Sequence, residues 1–237
     1  MLNISVLIQG PLNKTSLECV KYYSTIGPVV ICYWNTDDAS LLDEYDLDSC
    51  ILVRCPIPLS SLPYTNDTFM YQICSIVYGL RNIGSLYVIR TRSDERYENL
   101  QPLIEKFNED KSKIVCGNIF FKKWKVKKRH IGDHLFLGKT DVLLEAYKNM
   151  CRFAITYCQN SGDPEQIAAR AIMEVLLFKE LKEEGVRFNS KELFKSIFDV
   201  VDINTLAPFI ARWVHGDITY VNNFPYDRNI ITKMEDL

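Results

Sequence analysis

The stretch Leu86-Tyr-Val-Ile-Arg-Thr-Arg-Ser-Asp-Glu95 begins as an apolar, β-branched run and ends abruptly in a cluster of charges. If the two-residue period of a β-strand persists to its end, Arg90, Arg92 and Asp94 project to one side of the sheet. In an open α/β sheet, the carboxyl ends of the strands line a crevice in which ligands bind. The stretch therefore predicts a strand of an α/β sheet with a charged binding site at its end.

The residue types in this stretch indicate what would bind there. A carboxylate such as Asp94 can hold a divalent cation, and the guanidiniums of Arg90 and Arg92 pair with phosphates or orient the acid. This combination suits a nucleoside diphosphate. The alternative is a surface turn with an Arg–Asp ion pair, since such pairs are common at strand ends. The ten residues alone leave both interpretations open.

Size and composition indicate an ordinary globular protein. The chain has 237 residues, 47% of them apolar and 24% charged, which suits one large α/β domain. A net charge of -2 excludes a global field that recruits nucleic acid, so any anion site must be local. No apolar run approaches the ~18 residues that cross a bilayer. The eight cysteines form no CxxC pair and follow no secretory leader, which predicts reduced thiols in a cytoplasmic protein.

Two early strands are predicted, each followed by polar residues. The first covers residues 4–8 and ends at Gln9-Gly10-Pro11, which forms the predicted ligand-facing loop. The second covers residues 29–33 and leads to Asp37 and Asp38. An acid in this place commonly meets a ribose hydroxyl. The alternative is that both acids cap the turn before Leu41.

Strands and helices alternate through the first half of the chain. A third strand is predicted over 50–54, and a helix that carries Gln72 over 68–81. A further helix over 102–107 and a strand over 114–116 follow the stretch at 86–95. The alternation predicts the α/β class, with a single, mostly parallel, Rossmann-like sheet flanked by helices.

A basic run, Lys122 to Arg129, contains six basic residues and no acid. Such a run is usually a solvated hairpin or loop. The alternative is a lid that closes over an anion. Trp124 within the run keeps open a peripheral contact with a membrane surface or a glycolipid acceptor.

Four short pieces in a fixed order carry a resemblance to a known family. They are Ile4-Ser-Val-Leu-Ile-Gln-Gly-Pro11, Tyr87-Val-Ile-Arg-Thr-Arg-Ser-Asp94, Gly132-Asp-His-Leu-Phe-Leu-Gly-Lys139 and Pro164-Glu-Gln166. Together they resemble the WavE-type glycosyltransferases of lipopolysaccharide synthesis, which are placed in the GT-A fold class. The matching part covers roughly residues 1–170.

The resemblance implies a nucleotide-sugar donor, with UDP as the expected nucleotide, and transfer of the sugar to a glycan, lipid-linked or cell-surface polysaccharide acceptor. It implies one GT-A-like domain over 1–237, with a nucleotide-binding half at 1–118 and an acceptor-binding half at 119–237. The donor-binding residues that we expect on this basis are Gln9, Gly10, Pro11, Asp37, Gln72, Arg90, Arg92 and Asp94.

The resemblance also implies a divalent metal, Mn²⁺ or Mg²⁺, held by Asp94 and by His215 late in the chain. For His215 the alternative is a plain structural role. GT-A enzymes commonly carry Asp-x-Asp at the metal site, whereas this chain has Arg92 in place of the first acid. An arginine there would take over part of the charge neutralisation.

An inverting transfer needs a base that deprotonates the acceptor hydroxyl. Glu165 is the first candidate for this role and Asp133 the second. Each has a structural alternative, because an acid in the first turn of a helix is favoured by the helix dipole and Asp133 could cap a turn.

Two other functions compete with glycosyl transfer. A nucleotidyltransferase would carry a Gly-rich loop with Lys or Arg after its first strand, and Gln9-Gly10-Pro11 is not that loop. A nucleotide-sugar or glycan-binding module could keep the fold without the chemistry, which the incomplete acid motif permits.

Overall fold

A computed structural model describes residues 2–58, 67–119, 121–152, 164–177, 190–212, 218–220 and 230–237. Its centre is strand β1 (Ile4–Gln9), in which all six residues are buried. Strand β1 pairs in parallel with β2 (Val29–Trp34) on one side and with β4 (Tyr87–Arg92) on the other. The strand predicted within residues 86–95 is thus confirmed, and it lies at the centre of the sheet.

Seven strands form the main sheet in the order β3-β2-β1-β4-β7-β6-β8. The other members are β3 (Ile51–Cys55), β6 (Ile114–Gly117), β7 (Phe136–Lys139) and β8 (Phe198–Val201). Strand β7 is antiparallel to β4 and β6, and every other neighbouring pair in this sheet is parallel. The mostly parallel α/β sheet is therefore confirmed. The predicted boundary at residue 118 falls just after β6, which pairs with β8.

Helices cover both faces of the sheet. They are α1 (Lys14–Leu17), α2 (Val20–Ile26), α3 (Asp67–Leu80), α4 (Gln101–Glu109), α5 (Thr140–Arg152), α6 (Pro164–Leu176) and α7 (Lys191–Ile197). Alternate residues of the strands feed two apolar cores: Val88 packs with α3 and α5, and Ile89 with α2 and α4. In the described ranges no helix has the length and apolar character needed to cross a membrane.

The chain enters a second, three-stranded sheet directly after β4. It contains β5 (Glu95–Tyr97), β9 (Phe209–Arg212) and β10 (Ile218–Tyr220) in the order β10-β9-β5. Only Ser93 and Asp94 separate β4 from β5. The chain therefore turns at the carboxyl end of β4, and this turn carries Asp94.

The order of the main sheet reverses beside β1. The chain runs from β1 outward to β2 and β3, and then returns to place β4 on the other side of β1. Open α/β sheets bind ligands at such a switch point, outside the carboxyl ends of the strands. A ligand site is therefore expected at the carboxyl ends of β1 and β4.

Candidate functional site

A cleft of about 250 Å³ opens at this switch point. Its lining comes from the ends of β1, β2 and β4 and from one side of α3: Gln9, Gly10, Pro11, Asn13, Trp34, Tyr71, Gln72, Ser75, Arg92, Ser93 and Asp94. Six of the predicted donor-binding residues (Gln9, Gly10, Pro11, Gln72, Arg92 and Asp94) therefore lie in one place.

The floor of the cleft depends on Gly10. The amide of Gly10 donates to the carbonyl of Cys32, and the amide of Ser93 donates to the carbonyl of Gln9 at 2.9 Å, which joins the ends of three strands. Gly10 has φ of 129°, and a β-carbon placed on it would lie 2.6 Å from Ser93 Oγ. Glycine is thus required here both for its backbone conformation and for the close approach of the two loops.

An aromatic pair lines the side of the cleft that β2 and α3 form. The rings of Trp34 and Tyr71 lie 5.6 Å apart at an interplanar angle of 60°. Trp34 is 7% exposed and Tyr71 is partly buried, so the pair is held firmly by its surroundings. These rings give the cleft an apolar surface against which a flat ligand group can pack.

An ion pair lines the side that β4 forms. Arg92 donates from Nε and Nη2 to the two carboxylate oxygens of Asp94, each at 2.9 Å. Burial acts to raise the pKa of Asp94, but the hydrogen bonds and charge of Arg92 outweigh it and hold that pKa below its ordinary value. Asp94 is therefore ionised, and its orientation is fixed by Arg92.

A buried acid, Glu95, supports this ion pair from behind. Its side chain is fully buried, contacts Nδ1 of His134 and accepts a hydrogen bond from the Tyr97 hydroxyl at 2.7 Å. Arg92 Nε lies 3.8 Å from it. Burial acts to lower the pKa of His134, but the negative charges of Glu95 and Asp133 outweigh burial and raise it above its ordinary value. The two acids therefore favour the charged form of the imidazole.

The second predicted base, Asp133, lies behind Gln72 and not in the cleft. Its carboxylate accepts a 2.6 Å hydrogen bond from Gln72 Nε2 and lies 4.0 Å from His134 Nε2. Burial acts to raise the pKa of Asp133, yet the charges of His134 and Arg90 and the Gln72 hydrogen bond together lower it. Such a carboxylate orients Gln72, which does line the cleft.

Arg90 was expected to face the ligand, but the structure buries it. The side chain is 1% exposed, and its Nη1 donates to the backbone carbonyl of Asp133. Its guanidinium carbon lies 5.6 Å from the ring centroid of Phe136. Arg90 shares a face of β4 with Arg92, but it lies one pleat deeper, beneath the neighbouring β7. It is absent from the lining of the cleft.

Asp37 and Asp38 both cap turns, which is the structural alternative considered for them. One carboxylate oxygen of Asp37 accepts from the amides of Trp34 and Leu12, each at 2.9 Å. Asp38 accepts from the amide of Ser40 at the start of a 3₁₀ helix. Asp37 is not among the lining residues, although it ties the loop after β1 to the end of β2.

Glu165, the first predicted base, lies in the first turn of α6 and is 18% exposed. Its carboxylate is 3.8 Å from Nε2 of His130, a histidine that is 3% exposed. Neither residue lines the cleft, so the structure does not bring Glu165 together with the predicted donor-binding residues.

The described residues do not fit a divalent cation at Asp94. Both carboxylate oxygens are already engaged by Arg92. In the described part of the chain, no group of three or more acidic, histidine or cysteine side chains has the arrangement of a metal site. His215, the other predicted ligand, lies outside the described residues.

The basic run packs against the far end of the chain and not over the cleft. Lys122 pairs with Ile230 in an isolated bridge, and the ring of Trp124 packs edge-on against Phe194 at 5.5 Å. Trp124 is thus held against the protein core, which argues against its use as a membrane anchor. Lys123 and Lys125, with other residues, line a separate surface depression.

Several residues that the structure places at the site were not predicted from the sequence. The missed lining residues are Asn13, Trp34, Tyr71, Ser75 and Ser93, and the missed supporting residues are Glu95 and His134. A signal for two of them, Tyr71 and Ser75, was available in the sequence. Tyr71 and Gln72 lie four and three positions before Ser75, which places all three on one side of the predicted helix.

No known protein family matches the sequence, and no curated protein matches it. Solved structures that are similar to the chain include HddC from Yersinia pseudotuberculosis, with 12% identity, a TM-score of 0.36 and coverage of 60% of this chain and 79% of that one. Mannose-1-phosphate geranyltransferase from Thermus thermophilus has 10% identity, a TM-score of 0.39 and coverage of 71% of this chain and 68% of that one.

Glucosyl-3-phosphoglycerate synthase from Mycobacterium tuberculosis, solved with Mn²⁺, UDP and glucosyl-3-phosphoglycerate, is also similar. It has 11% identity, a TM-score of 0.42 and coverage of 75% of this chain and 79% of that one. At these identities and TM-scores the likeness carries no argument about function, which must come from the site.

Proposed function

We propose that the chain is a glycosyltransferase whose nucleoside diphosphate sugar donor binds in the cleft between β1 and β4. The observation that carries the proposal is that an aromatic pair at the end of β2 and an Arg–Asp pair at the end of β4 share one cleft. Strand β1 lies between them, so about two strand spacings, ~10 Å, separate the two pairs. A nucleotide presents a flat base and charged phosphates at a separation that the intervening ribose sets.

Each part of the donor then has a matching surface. The base packs against Trp34 and Tyr71, an interaction typically worth about 1–3 kcal/mol per stacked base. The ribose passes the loop at Gly10, where the absence of a side chain lets a ligand approach the backbone. The diphosphate meets Arg92, whose remaining N–H groups suit phosphate oxygens. Uridine is the base that we propose, on the resemblance to WavE-type enzymes.

The reaction follows from this placement. An acceptor hydroxyl oxygen attacks the anomeric carbon of the sugar and gives up its proton to the proposed base, Glu165, while the bond from that carbon to the phosphate oxygen breaks. Negative charge grows on the departing diphosphate, and the fixed guanidinium of Arg92 stabilises it. We propose a glycan or a lipid-linked saccharide as acceptor, with residues 119–237 as the half that binds it.

Of the two residues predicted to accept the proton of the acceptor hydroxyl, Glu165 and Asp133, we retain Glu165. Asp133 is buried, has a lowered pKa and is engaged by Gln72, so it is a poor proton acceptor for a substrate. Glu165 is partly exposed. Removal of its carboxylate would leave donor binding intact and slow the transfer step. This outcome would distinguish a proton acceptor from a donor-binding residue.

One observation favours a second candidate, a nucleotide-sugar-binding protein without catalysis. Among the described residues, Asp94 is the only carboxylate that lines the cleft, and Arg92 engages both of its oxygens. A protein that only binds the nucleotide sugar would need no proton-accepting side chain in the cleft.

Release of UDP from UDP-sugars, followed by chromatography over hours, separates the two candidates. We expect slow hydrolysis by the wild type and at least ~10-fold slower release by E165Q, with equal UDP affinity in both proteins. UDP-glucose, UDP-galactose and UDP-N-acetylglucosamine serve as donors, each with and without Mn²⁺. Saturable binding with no UDP release from any donor would reject the transferase in favour of the binding protein.

A further inference from the structure

We propose that His134 is a positioning residue of the cleft: by pairing with Glu95 it keeps the guanidinium of Arg92 on Asp94. The structural part of this proposal stands alone, and its consequence for nucleotide affinity rests on the proposed function. His134 does not line the cleft and acts only through its neighbours.

The charges around His134 come from three neighbouring segments. On β4 and its turn lie Arg90, Arg92 and Asp94; on β5 lies Glu95; and beside His134 itself lies Asp133. Among the described residues, three acids thus face two arginines, and His134 is the third basic side chain of the cluster. A buried cluster of this kind is tolerated only when its charges balance.

Glu95 is the member of this cluster that most needs a partner. It has no exposure to water, and a carboxylate left unpaired in such a place is costly. His134 is in direct contact with it, whereas Arg92 Nε is 3.8 Å away. Without His134, Arg92 is, among the described residues, the nearest cation that could move onto Glu95.

Arg92 is therefore placed between two acids that compete for it. Its Nε is 2.9 Å from Asp94 and 3.8 Å from Glu95. His134 decides the competition, because it neutralises Glu95 and leaves the fork of Arg92 on Asp94, facing the cleft. Through its second nitrogen, 4.0 Å from Asp133, the same ring also supports the acid that holds Gln72.

The test compares H134Q with the double variant E95Q/H134Q. In H134Q, Glu95 keeps its charge and draws Arg92 away, so UDP affinity measured by calorimetry is expected to fall at least ~10-fold. In E95Q/H134Q the competing acid is neutral, so Arg92 returns to Asp94 and affinity recovers to within ~3-fold of wild type. A residue that merely fills space would not be rescued by a second substitution in the core.

A readout without nucleotide separates this proposal from the proposed function. The Nε–Hε resonance of Arg92 in ¹⁵N NMR spectra is expected to move in H134Q and to return towards the wild-type position in E95Q/H134Q. If wild type does not bind UDP but this pattern holds, the proposed function fails and the positioning role stands.

Unchanged Arg92 resonance and affinity in H134Q would overturn the proposal. If H134Q does not fold while E95Q/H134Q does, the proposal is supported, because the unbalanced charge of Glu95 is then what the fold rejects. If neither variant folds, His134 is a core residue and the positioning role is rejected.

Discussion

Replacement of Arg92 by alanine is expected to weaken UDP binding at least ~100-fold, which corresponds to about 2.7 kcal/mol. The substitution removes the only cation that lines the cleft among the described residues. It also leaves Asp94, which is 21% exposed, as an unpaired acid that repels the phosphates. Calorimetry with UDP gives the affinity, and thermal melting shows whether the fold survives.

Two further variants make this experiment specific. K125A removes an equal charge from the basic run, which does not line the cleft, and is expected to leave UDP affinity within ~2-fold of wild type. R92A/D94N removes the unpaired acid and is expected to recover part of the loss. Equal affinity of R92A and wild type would show that the nucleotide is not held by Arg92.

The second large effect is expected from Gly10→Ala. An alanine at position 10 would have to keep a φ of 129°, which L-residues rarely adopt. Its β-carbon would also lie 2.6 Å from Ser93 Oγ. Backbone strain of this kind typically costs about 1–3 kcal/mol, so the free energy of unfolding in urea is expected to fall by that amount. The turn that carries Asp94 must also shift, and UDP affinity is expected to fall with it.

Gly84→Ala is the matched control for this prediction. Gly84 lies in the turn between α3 and β4, has no neighbouring atom within 4 Å of an added β-carbon, and does not have a positive φ. Its substitution is expected to change the free energy of unfolding by no more than about 0.5–1 kcal/mol. If Gly10→Ala is as mild as Gly84→Ala, the close packing of the two loops does not support the cleft.

Strands β1, β2, β3, β4 and β6 and their common edge could be predicted because they follow from local patterns, whereas β5, β8, β9 and β10 were not predicted. The apolar run of β4 ends where its charges begin, and β1 ends at Gln9 and Gly10 in the same way. The direction of β7 could not be predicted, because side-chain periodicity is the same in parallel and antiparallel strands. Residues 15–26 carry apolar side chains at helical spacing, which predicts one helix, whereas the structure breaks this segment into α1 and α2.

The roles of individual charges were harder to predict, because they depend on depth and on partners distant in sequence. Arg90 and Arg92 share a strand face, but only the neighbouring β7 decides that Arg90 is covered. Asp133 meets Gln72 across 61 positions, and His134 meets Glu95 across 39. Spacing along the chain carries no signal for such pairs.

The most direct test of the central claim is titration of ¹⁵N-labelled protein with UDP, with chemical shifts mapped onto the chain. We expect saturable shifts in the amides of Gly10, Ser93 and Asp94 and in the indole N–H of Trp34. Shifts confined to the surface of Lys123, Lys125 and Lys191, or no saturable shifts at all, would contradict the assignment of the cleft as a nucleotide site.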